Sequence, residues 1–141
     1  VNFSLPLPAL LLDCLVAAAA LIYFPYGVVV YGRLKVGMDM AAPRALFDKL
    51  PDYAKRAAWA HQNSFETFMP FAAAVLMAYV TGVTSASAGW AAIAFVVGRF
   101  FFSIFYMLNI PIGRSLMFGV GTFSTATLML LSLLQVNPQN R

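Results

Sequence analysis

Charge is what this sequence has least of: 10% of its 141 residues are Asp, Glu, Lys or Arg, while 62% are hydrophobic. Soluble domains carry about a quarter charged residues, so too few remain here to cover a water-facing surface, and a soluble globular fold is excluded for nearly the whole chain. Cysteine occurs once, as Cys14, which rules out an intrachain disulfide and a metal site of the clustered-cysteine kind; Cys14 is expected only to pack. Histidine also occurs once, as His61. It is expected to satisfy a local hydrogen bond rather than ligate a metal, and no metal is expected. The net charge of +4 comes without an arginine-rich or aromatic-interleaved stretch, which argues against a nucleic-acid partner. No Lys or Arg precedes the first apolar run, and the run outlasts a signal peptide, so it is expected to be a retained helix.

What fills the chain instead is four apolar runs, each long enough for the ~20 residues that cross a bilayer core of about 30 Å. The pattern predicts helices over about 7–31, 53–80, 88–108 and 112–136, in one transmembrane domain spanning 1–141. The first begins after Pro6 and Pro8 and carries Pro25 with Gly27, so a kink is expected where Pro25 frees a carbonyl one turn back. A basic, polar connection over about 32–52 holds Arg33, Lys35, Arg44 and Lys49 with Pro43 and Pro51 as breakers. The second connection is Gly, Ser and Thr without charge, and Pro111 marks a tight third turn. Eight of the nine Lys and Arg cluster at one end of these helices, Arg141 being the exception. By the positive-inside rule that end faces the cytoplasm and both termini face away. The expected fold is an all-α, integral membrane four-helix bundle, most simply up and down.

Four ionisable residues well inside the predicted spans are worth weighing: Asp13, His61, Glu66 and Arg99. Burying such a group costs from about 3 kcal/mol, so it faces a partner or a wet cavity. Glu66 and Arg99 come out at similar depth, about 18 and 14 Å from the basic end at 1.5 Å per residue. An ion pair between them is the cheapest arrangement, and a binding cavity is the alternative. Asn63 and Glu66 share one helix face at i and i+3, with Arg56 two turns away; Arg99, Ser103 and Tyr106 form a second stripe. Arg114 and Ser115 lie in the first turn of the fourth helix, where backbone N–H groups favour an anion such as a thiolate. Arg114 reads equally as an anchor reaching the lipid phosphates, and Tyr106 as an interface aromatic. Asp13 lies alone near the other side, with no role evident in the sequence. The Ala, Phe, Met and Gly of helices one, three and four read as lipid and helix packing.

The run from Arg56 through Trp59, His61, Gln62 and Asn63 to Glu66, followed by Pro70, closely resembles the helix-two signature of the MAPEG superfamily, the membrane-associated proteins in eicosanoid and glutathione metabolism. Arg99, Tyr106, Pro111, Arg114 and Ser115 resemble the end of helix three and start of helix four in that family. The resemblance covers nearly the whole chain. It implies a homotrimer with glutathione sites between subunits, open to the cytoplasm and to the lipid. By position it implies that Arg33, Asn63, Glu66, Arg99 and Tyr106 bind glutathione, while Arg114 and Ser115 lower the pKa of its sulfur and hold the thiolate. The chain departs from the glutathione-handling branches at Trp59, where Arg is usual, and carries Gln62 and Phe102; it looks like a less characterised bacterial branch. The implied function is a glutathione-dependent transferase or peroxidase acting on lipophilic electrophiles or lipid hydroperoxides drawn from the bilayer. The alternative is a non-catalytic structural or lipid-binding subunit of a larger membrane complex.

Overall fold

The computed structural model describes residues 5–137 and Gln139; Arg141, which entered the charge count above, lies outside them. Four α-helices follow one another: α1 (Leu7–Val36), α2 (Asp52–Thr81), α3 (Ala86–Met107) and α4 (Pro111–Val136), with a short 3-10 helix (Pro43–Lys49) ahead of α2. All four are long and apolar enough to cross a membrane, and the chain is a multi-pass integral membrane protein. The basic connection is shorter than the sequence predicts. The first helix does not stop at Tyr31 but continues to Val36, placing Arg33 and Lys35 on its last turn, where cations meet the negative end of the helix.

Each turn has a local cause. Gly37 at φ 90° ends α1. Gly82 at φ 69° ends α2, with the amide of Val83 donating to the Ala78 carbonyl at 3.1 Å and that of Gly82 to Tyr79 at 3.3 Å, a Schellman closure. Asn109 plays the same part after α3 at φ 57°, with Ile110 donating to Phe105 at 2.8 Å, and Pro111 starts α4 immediately. Arg56 Nε donates to the Met107 carbonyl at 3.0 Å, tying the end of α3 to the start of α2. Arg56 is therefore committed to a helix end and does not extend the polar stripe of Asn63 and Glu66.

Helices α2 and α3 pack against each other, and α1 and α4 flank them on opposite sides. Away from the basic end lies an apolar core of Leu11, Cys14, Phe71, Val75, Ala92, Phe95 and Leu128. At its centre the rings of Phe71 and Phe95 stack at 3.7 Å and 2°. At the basic end a smaller cluster joins Val29, Leu50, Ala54 and Ala57. Here α1 and α2 come close because Gly32 faces Ala54, small residues being what lets backbones approach in a membrane.

Between the two clusters lies a polar layer. The His61 Nδ1–H donates to the carbonyl of Ile22 at 2.7 Å; the carbonyl can only accept, so that nitrogen carries the proton. Ile22 lies in the turn of α1 just before Pro25, where the proline disturbs the backbone ladder. The carbonyl that Pro25 leaves without its helical donor is that of Leu21, so the His61 bond lies on the neighbouring carbonyl of the same turn and ties α2 to α1 there. His61→Leu is expected to cost about 1 kcal/mol by removing a hydrogen bond between α2 and α1. Thermal unfolding in detergent measures this, and an unshifted midpoint would refute the assignment.

Candidate ligand site between the second, third and fourth helices

The guanidinium of Arg99 organises the polar layer. Arg99 is only 4% exposed. Its Nη2 donates to Asn63 Oδ1 at 2.9 Å and to Ser64 Oγ at 3.2 Å. One face lies 3.8 Å from the centre of the Phe102 ring, a cation–π contact in a dry setting. Gly121 of α4 lies against the side chain, a Cβ there standing in ordinary contact at 3.6 Å from Arg99 Cδ. Nε and Nη1 are sealed from solvent with no partner among the described residues, so three N–H donors are unspent on the most buried cation of the bundle.

The expected Glu66–Arg99 ion pair does not form. Glu66 is exposed and accepts from Gln62 Nε2, one turn back on the same helix, at 3.3 Å. The amide and hydroxyl of Asn63 and Ser64 face α3 and reach Arg99 first. Both charges nevertheless border the same cavity of about 430 Å³, together with Pro70, Phe95, Thr125 and Met129. It is polar where Asn63, Glu66 and Arg99 meet and apolar further from the basic end. Asn63 Oδ1 is held by Arg99, so its NH₂ is the group left for a ligand.

A second cleft, about 290 Å³, adjoins the first, sharing Asn63 and Phe118, and contains Tyr106, Arg114 and Ser115. Arg114 is the fourth residue of α4, and its guanidinium lies 4.8 Å from the centre of the Tyr106 ring. The stack fixes the arginine over the cleft. Six of the seven residues picked out by motif therefore line two adjoining clefts: Asn63, Glu66, Arg99, Tyr106, Arg114 and Ser115. Arg33 does not join them. It lies across α2 with Arg44 and His61.

Sequence inspection missed the α4 wall of Gly121, Thr122 and Thr125, although small and hydroxyl residues at that spacing in an apolar helix were the available signal. Ser64 was missed as well, its hydroxyl being shared between the Ala60 carbonyl, to which it donates at 2.8 Å, and Arg99. No group of three or more His, Cys, Asp or Glu able to hold a metal occurs among the described residues.

The three unspent donors of Arg99 give a test of purpose. Arg99→Met is expected to hold thermal stability within about 1 kcal/mol or raise it, because a buried charge traded for an apolar side chain of similar length is often neutral or stabilising. A loss of several kcal/mol would instead assign Arg99 to structure alone.

A bundle of four membrane-spanning helices, with the buried Arg99 and the part-buried Arg114 bordering adjoining clefts, defines a multi-pass α-helical membrane protein. The model of the MAPEG family matches residues 10–134, and the chain belongs to that family. No curated protein and no solved structure matches it.

Proposed function

We propose that the chain is a membrane-embedded glutathione-dependent transferase or peroxidase, working as a homotrimer on lipophilic electrophiles or lipid hydroperoxides. The observation that carries this reading is that the two clefts adjoin, sharing Asn63 and Phe118. One end holds Arg114, Ser115 and Tyr106; the middle holds Asn63, Glu66 and Arg99; the far end is apolar. Glutathione presents two carboxylates, one ammonium and a thiol. Arg99, which borders the cavity, takes a carboxylate, and Glu66 takes the ammonium. The sulfur comes to Arg114, whose charge favours thiolate over thiol, with the Ser115 hydroxyl donating to it. In conjugation the thiolate forms a carbon–sulfur bond to the electrophile, and the leaving group departs with the electron pair of the broken bond. The electrophile enters from the apolar end. The basic end faces the cytoplasm, and both termini lie on the other side.

The test is a glutathione titration of the purified protein, followed by thiolate absorbance in the ultraviolet. A saturable signal is expected; none at millimolar glutathione would overturn the reading.

One observation favours a second reading, a non-catalytic subunit of a larger membrane complex. The outer face carries an apolar groove of about 550 Å³ between α1 and α3, lined by Ala17, Ala20, Val97 and Phe100, and Asp13 is exposed on the same helix. Stable co-purification of another membrane protein after mild extraction is expected under this reading alone.

A further inference from the structure

The clefts of Arg99 and Arg114 and the recess that holds Arg33 all border α2, the sides that neighbouring subunits complete in the proposed trimer. The groove between α1 and α3 has no α2 residue in it and lies on another face of the bundle. Asp13, Ala17, Ala20 and Phe24 follow one another at i, i+4, i+7 and i+11 and share one side of α1. The stack of Phe24 on Phe100, 5.5 Å between ring centres, fixes that side towards α3. Asp13 therefore stands one turn beyond Ala17 on the groove side, towards the end of the bundle opposite the basic one. It is exposed, and about 9 Å separate it from the start of α1 at Leu7.

A carboxylate facing lipid at that depth is costly and calls for a cation at its own level. No described cation of the chain reaches it. Arg33, the next along α1, is about 30 Å further on. Arg99 is buried and spends its bonds on Asn63 and Ser64 of α2, and the other described Lys and Arg lie at the basic end. A second copy in the same membrane orientation brings another Asp13 to that level, not a cation. An acyl chain would fill the groove and leave the carboxylate unanswered. Ala17 and Ala20, by contrast, leave room for a helix backbone to approach, as small residues do where membrane helices pack.

We propose that the face between α1 and α3 docks one transmembrane helix of a different membrane protein, a helix that carries a lysine or arginine level with Asp13. The cation meets the carboxylate, and the helix lies along Ala17, Ala20, Val97 and Phe100. This supplies the contact that the second reading requires, and it holds equally for a working enzyme, because no residue of the glutathione clefts takes part.

Trp90 supplies the probe. It lies two helical turns before Val97, on the groove side of α3 and towards the same end as Asp13, and in a Trp59→Phe background it is the remaining tryptophan. In proteoliposomes the partner is represented by a synthetic Leu-Ala transmembrane helix with a dansyl group at one end and a single lysine two turns in from it. Matched helices carry leucine or glutamate instead. Energy transfer from Trp90 is expected to saturate at several-fold lower peptide content with the lysine helix. Asp13→Asn is expected to erase that preference, and Ala17→Leu with Ala20→Leu, which fills the groove, to abolish association, both with the thermal midpoint kept. Equal transfer to the three helices would overturn the proposal, as would a lysine preference that survives Asp13→Asn. A several-fold gain in the preference on Arg141→Gln would make Arg141 the native partner of Asp13 and overturn it too. The glutathione titration decides the enzyme reading separately.

Discussion

Arg114→Ala is expected to erase the saturable thiolate signal of bound glutathione and to lower turnover by roughly a hundredfold or more, leaving the bundle folded. The size follows from what the guanidinium does. A fixed positive donor facing developing or resting negative charge in a site shielded from water is worth about 2.7–4 kcal/mol, and each 1.36 kcal/mol is a factor of ten in rate. The structural loss is small by comparison, because Arg114 packs on one face of Tyr106 at 4.8 Å, a contact worth about 0.5–1 kcal/mol at a partly exposed position. Arg114→Lys separates charge from shape: it keeps the positive charge without the planar fork and is expected to retain part of the signal. Turnover unchanged in Arg114→Ala would remove the basis for the enzyme reading, since no other cation lines that cleft.

The largest expected stability effect belongs to Gly32. A Cβ at this position would stand 2.5 Å from the Cβ of Ala54, with Leu50 Cδ2 at 3.5 Å and Pro51 Cδ at 3.9 Å behind it. The opposing methyl is attached directly to the α2 backbone and has no rotamer to escape into, so the helices themselves must move apart. Gly32→Val is expected to destabilise by about 1–3 kcal/mol or more, the range for overpacking a filled interior. It would open the cluster of Val29, Leu50, Ala54 and Ala57. Gly27 is the control, because a Cβ there meets nothing within 4 Å. Gly27→Ala relieves a glycine inside a helix and is expected to be neutral or stabilising by up to about 1 kcal/mol. Thermal unfolding of both variants in detergent gives the comparison, and equal midpoints would rule out the close approach of α1 to α2.

Several features of the molecule were legible in the chain. Four apolar runs separated by breakers specify four spans, because a bilayer core admits only segments that satisfy their own backbone hydrogen bonds. The crowding of Lys and Arg near one set of helix ends marks one end of the bundle. The i, i+3 and i+4 spacings put Asn63 with Glu66, and Arg99 with Tyr106, on shared faces, and those faces line the adjoining clefts.

Spacing along one helix says nothing of the rotation and axial offset between two helices, and the remaining features depended on those. Glu66 and Arg99 matched in depth, yet the rotation of α2 against α3 turns Asn63 and Ser64 towards the guanidinium and leaves Glu66 on Gln62. The bond of His61 to the Ile22 carbonyl of α1 and the separation of Arg33 from the clefts of Arg99 and Arg114 by α2 have the same origin. Two tertiary contacts set these offsets: the approach of Gly32 to Ala54 and the stack of Phe71 on Phe95. The sequence by itself determined the number of spans, the basic end and the face each polar residue shares with its own helix neighbours. Which polar groups meet across helices was decided by the tertiary structure, because steric fit between apolar side chains far apart in sequence sets how one helix is turned against the next.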